Sequence, residues 1–598
     1  MTSFSSLPQE VIDIIITHLI HRDYASCVLV SHAWRSYFTP SLWRTVRVVD
    51  ETANNCLKTQ QGRNALARYS QYIREFETTY LGLVFYLTIA RPAITKLVSL
   101  TIRLKDHRFS KLTAKADQAG DVPKSVTSSV IKVLKNNPGL RSLNLDRGCF
   151  RYKDDEGAFE FLTIAIPTAR LERLELSFFD SHWARDLEGA AITDSAATAS
   201  SITYTNQFLA GVKLLLPINL EQDRFFSLKE IAITGNGIKA SSMDPIRLSF
   251  LVRCPNLERI RLDRLDHPTM ACLPILLKMA CHRLDCLELT NCTNDITEPL
   301  VDLLQASKRG WKELRLPSMY ALTRLGLAML LDTSSETLEV LRIENAEDLL
   351  RRDTVGLLSS TTRLRRLEGP SDGQVTRFTS ELTVDAYENY QEYVDGQKDR
   401  AWAVGPSMEY MQLSIQRVPR PDVVCRQGGR HLTFSQEGLD ADLRFEVQRW
   451  IYTQLSKMTC LKELVLGKMD LDPELLASYI DPLLSSSMDP IAYEEALLMS
   501  YSGRGFQYLT MEFSLESGLD ILEGMKELRV LDVRRTAHNI GVKELEWMHI
   551  NWPKLEKIRG LETERGWSVH RGEGKEFKAG VDAWMAAHPR GIGSSFYL

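Results

Sequence analysis

A single hydrophobic pattern, L-x-x-L-x-L with Ile, Val, Met or an aromatic residue as allowed substitutes, recurs along most of the chain. In its clearest stretch the copies begin at residues 257, 284, 311, 338 and 364, so the spacing is 26 or 27 residues. The alternating part of the pattern predicts a short strand, and the residues between copies have the apolar spacing of a helix. Such a unit buries its apolar side only against its neighbours, so the pattern predicts a stacked α/β solenoid.

Further copies extend the predicted solenoid in both directions, at residues 97, 140, 171, 228, 461 and 528, with degenerate copies at 73, 408, 506 and 555. The period lies within the range of leucine-rich repeats, whose leucines point inward while the x side chains line one face. We therefore predict repeats over 60–368 and 408–565. Because the spacing between early copies varies from 31 to 57 residues, the predicted solenoid (horseshoe) is irregular.

Two other segments fall outside this pattern. Residues 369–407 are polar and turn-rich and contain the acidic and aromatic run from Asp385 to Tyr393. We expect an exposed insertion there, with a partner-binding segment as the alternative. Residues 566–598 are predicted to form a C-terminal tail.

Residues 1–50 have a different pattern, which predicts three short helices. Apolar residues recur at helical spacing from Val11 to Leu19, and Ser31 is placed to cap the third helix. Helices this short cannot bury their apolar faces alone. Part of their surface is therefore predicted to belong to a partner, although an ordinary helical cap on the following domain would share the pattern.

The same residues resemble an F-box, through Leu7-Pro8-x-Glu10-Val11, Ala25-Ser26-Cys27-x-x-Val30-Ser31-x-x-Trp34 and Ser41-Leu42-Trp43. The resemblance implies that this unit docks onto a Skp-type adaptor and, through the adaptor, joins a cullin-based ubiquitin ligase. It also implies an adaptor-facing set of residues, which comprises Leu7, Pro8, Val11, Ile15, Tyr24, Ala25, Val28 and Leu29. Trp34 and Trp43 are expected to hold the three helices together.

The repeats carry a second resemblance. Cys254-Pro255-x-Leu257 and the run from Leu284 to Cys292 resemble the cysteine-containing class of leucine-rich repeat, which commonly follows an F-box. Segments at 419–422, 452–467 and 538–548 are similar to features of F-box/leucine-rich-repeat proteins from early-diverging fungi. Together with the N-terminal motif, the resemblance covers most of the chain.

Composition narrows the possible partners and the compartment. The 598 residues are 44% hydrophobic and 25% charged, as in an average globular protein, and the net charge is only −4. A dedicated binder of nucleic acid or of an anionic membrane would be strongly basic, so neither partner is expected. Ten cysteines are too few for a disulfide scaffold, and no targeting or membrane-spanning segment stands out. We expect a soluble protein of the cytoplasm and/or nucleus.

No catalytic motif accompanies these features. The chain lacks the phosphate-binding, serine-hydrolase, zinc-protease and kinase signatures. The crowded residues Cys272, Cys281, His282, Cys286 and Cys292 could suggest zinc, but Cys281 and Cys292 recur at repeat positions and the spacing is not that of paired ligands. We expect buried or incidental thiols, and neither a cofactor nor a metal nor a catalytic residue.

Recognition is then the expected activity, and the x positions are its expected surface. Arg315 and Arg342 hold the same position on successive predicted strands, with Arg365 and Arg366 on the next. These four arginines are candidates to capture a carboxylate or a phosphorylated residue of a client protein. The alternative is that Glu313, Glu339 and Glu368 simply pair with them.

These inferences give one functional hypothesis and one alternative. The chain is expected to be the non-catalytic substrate-recognition subunit of a Skp–cullin–F-box ubiquitin ligase, whose F-box binds the adaptor and whose repeats bind the client protein. The alternative is a leucine-rich-repeat interaction scaffold that takes no part in ubiquitylation.

Overall fold

A computed structural model of the chain describes residues 7–80, 83, 87, 94–103, 123–145, 170–177, 227–234, 249–263, 265, 267–290, 297–317, 322–346, 348–370, 382–396, 401–416, 418, 425–427, 430–432, 441–466, 510–534, 536, 538–561 and 574–588. The predicted repeat start at Phe506, Cys292 and the segment 419–422 lie outside the described residues. The chain divides into two compact units, Met1–Leu284 and Asp285–Leu598.

The first unit begins with three short helices: α1 (Gln9–His18), α2 (His21–Cys27) and α3 (His32–Leu42). Pro8 immediately precedes α1, where its missing N–H would have had no partner within the helix. Ser31 caps α3, because its hydroxyl oxygen accepts a hydrogen bond of 3.2 Å from the backbone N–H of Trp34. The three predicted helices are therefore present.

Seven parallel strands follow in the first unit, in chain order: β1 (Thr45–Val48), β2 (Glu75–Thr78), β3 (Ser99–Ile102), β4 (Ser142–Leu145), β5 (Arg173–Ser177), β6 (Glu230–Thr234) and β7 (Arg259–Asp263). Each strand pairs with the next in register, so that the central apolar residues of successive strands adjoin. The described helices of these repeats are α4 (Glu51–Lys58), α5 (Gln60–Tyr69), α6 (Pro123–Asn136) and α7 (His267–Ala280).

The second unit repeats the arrangement. Its parallel strands are β8 (Cys286–Thr290), β9 (Glu313–Leu316), β10 (Val340–Ile343), β11 (Arg366–Glu368), β13 (Tyr410–Gln412), β17 (Glu463–Val465), β18 (Val530–Asp532) and β19 (Lys557–Arg559). Its helices are α8 (Thr297–Leu304), α9 (Arg324–Ser334), α10 (Arg351–Ser360), α11 (Ala386–Val394), α12 (Ala441–Ser456), α13 (Val542–Asn551) and α14 (Gly574–Ala587).

Two small sheets complete the second unit. Strand β12 (Thr383–Asp385) pairs in parallel with β14 (Ser414–Gln416), and β15 (Cys425–Gln427) forms an antiparallel pair with β16 (Arg430–Leu432). No described helix of either unit combines the length and the apolar character that crossing a membrane requires.

The core of each unit is a ladder of the repeated apolar residues. Leu287, Leu314 and Leu341 adjoin on consecutive strands, and each is buried. Trp311 occupies the first leucine position of its repeat and is buried. Its indole N–H donates to the Leu304 carbonyl oxygen at 2.8 Å, so the polar atom of the buried ring has a partner. The predicted architecture, helical N-terminal segment followed by a parallel-strand α/β solenoid, is confirmed.

The segment 369–407, expected to be an exposed polar insertion, contains β12 and α11. Ala386 and Asn389 of α11 are buried, and so is Trp402 beyond the helix. Asp385 caps α11 by accepting from the Glu388 N–H, and it also accepts from Arg351 of α10 at 2.9 Å. The described part of this segment is therefore an element of the fold, held by a buried ion pair that its polar composition concealed.

The ladder gives a prediction for stability. Leu341→Ala removes a fully buried side chain between two neighbouring repeats, so we expect the free energy of unfolding to fall by about 2–5 kcal/mol. Leu325→Ala, in the exposed part of α9, is the matched control and is expected to change it by less than about 0.5 kcal/mol. Urea denaturation of both variants measures the difference. Equal losses of stability in the two variants would contradict a stabilising role for the buried leucine ladder.

Candidate partner-binding surfaces

The N-terminal helices expose apolar side chains that the rest of the first unit does not cover. Val11, Ile12, Ile15 and Ile16 lie on one side of α1, whereas Glu10, Asp13 and Thr17 share the other side at helical spacing. Ile12 is buried within the unit, whereas Ile14 is 59% exposed and Ile20, just beyond the helix, is 65% exposed. The helix thus buries part of its apolar surface internally and leaves other apolar side chains open to solvent.

The segment between α2 and α3 adds to this surface. Leu29 is 79% exposed and Val30 is 63% exposed, which are high values for aliphatic side chains. We call Val11, Ile14, Ile20, Leu29 and Val30 the apolar surface of the N-terminal helices. Single exposed aliphatic residues are common, whereas five within twenty residues make this surface the candidate partner-binding site of the N-terminal helices.

The structure places the eight predicted adaptor-facing residues in two groups. The exposed group consists of Pro8, Val11, Ala25 and Leu29, and the half-buried group consists of Leu7, Ile15, Tyr24 and Val28. Tyr24 ties the helices together, because its hydroxyl donates to the Ile16 carbonyl oxygen of α1 and its ring stacks near Phe38 of α3. The motif did not single out the exposed residues Ile14, Ile20 and Val30. The available signal for Ile14 was its place beside the polar residues Glu10 and Thr17 on α1.

The two tryptophans have different roles. Trp34 packs on Phe38 at 5.5 Å between ring centroids, a contact within α3. Trp43 instead stacks on Tyr69 of α5 at 4.7 Å. The next residue, Arg44, uses its carbonyl oxygen to accept from the backbone N–H groups of Arg74 and Glu75 at the start of β2. The helices therefore continue into the first strand of the sheet with no linker between them.

One comparison with known proteins identifies the N-terminal segment. Residues 4–48 match the F-box-like family. No curated protein sequence matches the chain significantly. Among solved structures, a chain from the crystal structure of the Rad7 and Elc1 complex in yeast is similar, with a TM-score of 0.30 and 15% sequence identity over 64% of this chain and 87% of that chain. The molecule thus has an F-box-like helical segment followed by α/β repeats.

A row of charged residues lies along the sheet of the second unit, one residue ahead of each strand or at its start. We call this row the charge ladder; its members are Asp285, Lys312, Glu339, Arg365, Glu409, Lys462, Arg529 and Glu556. Each backbone N–H in the row donates to the carbonyl oxygen of the preceding member, so the side chains are neighbours. The signs alternate over the first six members, with Lys312 3.4 Å from Glu339 and Lys462 2.7 Å from Glu409.

Glu409 lies between two cations of the charge ladder. Hydrogen bonds from Lys462 and Arg365 lower the pKa of its carboxyl group from 4.5 to about 2. The pair raises the pKa of Arg365 in return, chiefly through the same hydrogen bond. Glu409 is consequently ionised at physiological pH and stays ionised well into the acid range.

The register of the strands decides how the four predicted client-binding arginines are arranged. Arg342 is the direct strand partner of Arg315, as the sequence predicts. On the next strand Arg366 adjoins Val340, and Glu368 adjoins Arg342. The structure therefore brings two arginines into one row, and it places Arg366 in another row and Arg365 in the charge ladder.

Each of the four arginines already has a carboxylate partner. Arg315 contacts Glu313 at 3.1 Å, Arg366 contacts Glu368 at 2.8 Å, and Arg342 pairs with Glu344 at the end of its own strand. Arg365 pairs with Glu409 and lies 4.0 Å from Glu339. The contacts with Glu313, Glu339 and Glu368 are those of the alternative interpretation, whereas Glu344 and Glu409 are further partners that it did not name.

The exposed fractions of the paired side chains show which charged groups a partner can reach on this surface. In each pair along a strand the arginine side chain is more exposed than the carboxylate, for example 31% for Arg315 against 14% for Glu313. Each arginine side chain thus stays partly open to solvent while a less exposed carboxylate pairs with it. Arg366 is further fixed over the ring of Tyr410, at 4.9 Å from the centroid.

The crowded cysteines lie in the core. Cys254, Cys272, Cys281 and Cys286 are buried free thiols, and His282 is exposed. Burial raises the pKa of the Cys281 thiol to about 12, which leaves it protonated and a poor nucleophile or ligand. Among the described residues, no group of three or more His, Cys, Asp or Glu side chains that could hold a metal ion is present.

The charge ladder gives a prediction with a pH dependence. Because the pKa of Glu409 is lower in the folded chain than in the unfolded one, its stabilising effect is present above pH 4.5 and is lost as the pH falls towards 2. We expect Glu409→Gln to lower the free energy of unfolding by about 0.5–1 kcal/mol at pH 7, and by less at pH 3.

Urea denaturation at the two pH values measures this difference. Glu336→Gln, at an exposed position for which the structure gives no ion pair, is the control and should behave as wild type at both. A Glu409 effect that is the same at pH 3 as at pH 7 would contradict the assignment.

Proposed function

We propose that the chain is a non-catalytic substrate receptor of a Skp–cullin–F-box ubiquitin ligase in the cytoplasm and/or nucleus. The observation that carries the proposal is the F-box-like segment, residues 4–48, together with the apolar surface that its helices leave uncovered. Burial of that surface against a Skp-type adaptor supplies the driving force, at about 25 cal/mol per Å² of apolar area removed from water.

The repeats would bind the client protein. The partly exposed guanidinium groups of Arg315, Arg342, Arg365 and Arg366 support a face that recognises carboxylates or phosphorylated residues. A client bound to the repeats would be tethered through this chain to the adaptor and to a conjugating enzyme on the same scaffold. Ubiquitin transfer would then depend on effective concentration and orientation, and no side chain of this chain would react.

The adaptor surface can be tested with a pair of matched variants. Leu29→Glu places a charge on the most exposed residue of the apolar surface, and Ile550→Glu does the same at a 75% exposed isoleucine in the second unit. We expect affinity purification of the full chain to recover adaptor and cullin with wild type and Ile550→Glu, and at least tenfold less of both with Leu29→Glu. Both positions are exposed, so thermal stability should not change.

The other outcomes separate the two functional hypotheses. Adaptor without cullin, together with unchanged client abundance when the chain is deleted, would identify an interaction scaffold. Recovery of adaptor by Leu29→Glu at the wild-type level would show that this surface does not bind it.

The client face is tested independently of the adaptor. Arg315→Gln/Arg342→Gln removes two guanidinium groups that adjoin on consecutive strands, so we expect at least tenfold lower recovery of proteins that bind both wild type and Leu29→Glu. Arg141→Gln/Arg173→Gln removes two exposed arginines that pair with carboxylates on the first unit and is the matched control. Undiminished recovery with the first variant would exclude these arginines from client binding, while adaptor recovery should be unaffected in both.

A further inference from the structure

Two histidines meet where the last described helix packs on its neighbour. Val581 and Trp584 of α14 are buried, so this helix covers apolar surface at the C-terminal part of the second unit. Around Trp584, the ring of His588 is stacked at 4.3 Å and that of His549, from α13, lies edge-on at 6.0 Å. The two imidazole rings are 5.6 Å apart between centroids.

The hydrogen bonding of His588 determines which of its nitrogens is available. Its Nδ1 lies 2.9 Å from the carbonyl oxygen of Trp584. A carbonyl oxygen only accepts, so Nδ1 carries the proton, and in the neutral ring Nε2 then carries a lone pair. A bond from one ring nitrogen to a backbone carbonyl is the usual device that fixes the tautomer and orientation of a metal-binding histidine.

The distance between the rings is compatible with a shared ion. Two imidazoles bound to one tetrahedral ion at about 2.0 Å per nitrogen place their ring centres about 5 Å apart. The centroids of His549 and His588 are 5.6 Å apart, close to this separation. His549 is exposed and His588 is half-buried, so water can reach the remaining coordination positions.

We propose that His549 and His588 form a binding site for a divalent late transition-metal ion, with water as the other ligands. Imidazole nitrogen suits Cu²⁺, Ni²⁺ and Zn²⁺, whereas Mg²⁺ and Ca²⁺ prefer oxygen. The two ligands are 39 residues apart in the sequence. The ion would therefore join α13 to α14 and stabilise the packing of the last described helix of the second unit. This site is independent of the proposed ligase function.

The ring stacking provides a direct readout. Cu²⁺ quenches the fluorescence of a tryptophan close to it, and Trp584 contacts both rings. We expect titration of the full chain with CuCl₂ to quench the fluorescence and to saturate at one ion per chain. Trp584→Phe should remove this quench, while calorimetry should still detect Cu²⁺ binding to the variant. ZnCl₂ should raise the melting temperature, and MgCl₂ at the same concentration should not.

Variants of the ligands decide the assignment. His549→Gln and His588→Gln should each weaken Cu²⁺ binding at least tenfold, and His282→Gln, at an exposed histidine in the first unit, should leave it unchanged. His549→Gln changes an exposed side chain, so it stays informative if loss of the His588 stacking loosens α14. Wild-type affinity in His549→Gln, or a quench that His282→Gln abolishes, would overturn the proposal.

Discussion

In-register parallel pairing places every strand position beside the same position of the next repeat, about 4.8 Å away. For apolar positions this is favourable, since one leucine per repeat becomes a continuous buried ladder. For charged positions it is hazardous, because like charges repeated at this spacing would repel. The alternating signs from Asp285 to Lys462 are the solution that this chain uses, and they convert a repeated repulsion into a row of ion pairs.

The same constraint bears on the start of the first unit. A repeat buries its apolar side against the next repeat, and the N-terminal helices join the repeats where Trp43 stacks on Tyr69 and Arg44 leads into β1. The apolar surface around Ile14 and Leu29 lies outside this junction and is exposed. The stacking of repeats therefore does not bury it.

The sequence alone predicts the features that follow from the spacing of residues along the chain. It does not predict the contacts that form when distant segments pack together. The leucine ladder, the three helices and the adjacency of Arg315 and Arg342 all follow from spacing alone. The pairing of Arg342 with Glu344 does not, because Glu344 lies outside the repeat motif. Helix α11 was concealed by its polar composition, since Asp385 is buried only with an arginine from α10. His549 and His588 meet only because α13 and α14 pack together.

The two candidate partner surfaces rest on different physics, and this bears on how a receptor would use them. The apolar surface gains free energy from any well-fitting apolar partner and is insensitive to salt, which suits a constant partner such as an adaptor. The arginine face is already neutralised by its own carboxylates, so a single charge on a client gains little there. A client must offer a group that engages two guanidiniums together, as a phosphate does, or complementary shape along several repeats. Arginines that already have carboxylate partners therefore favour specificity over binding affinity. This would suit a surface that distinguishes one client among many proteins.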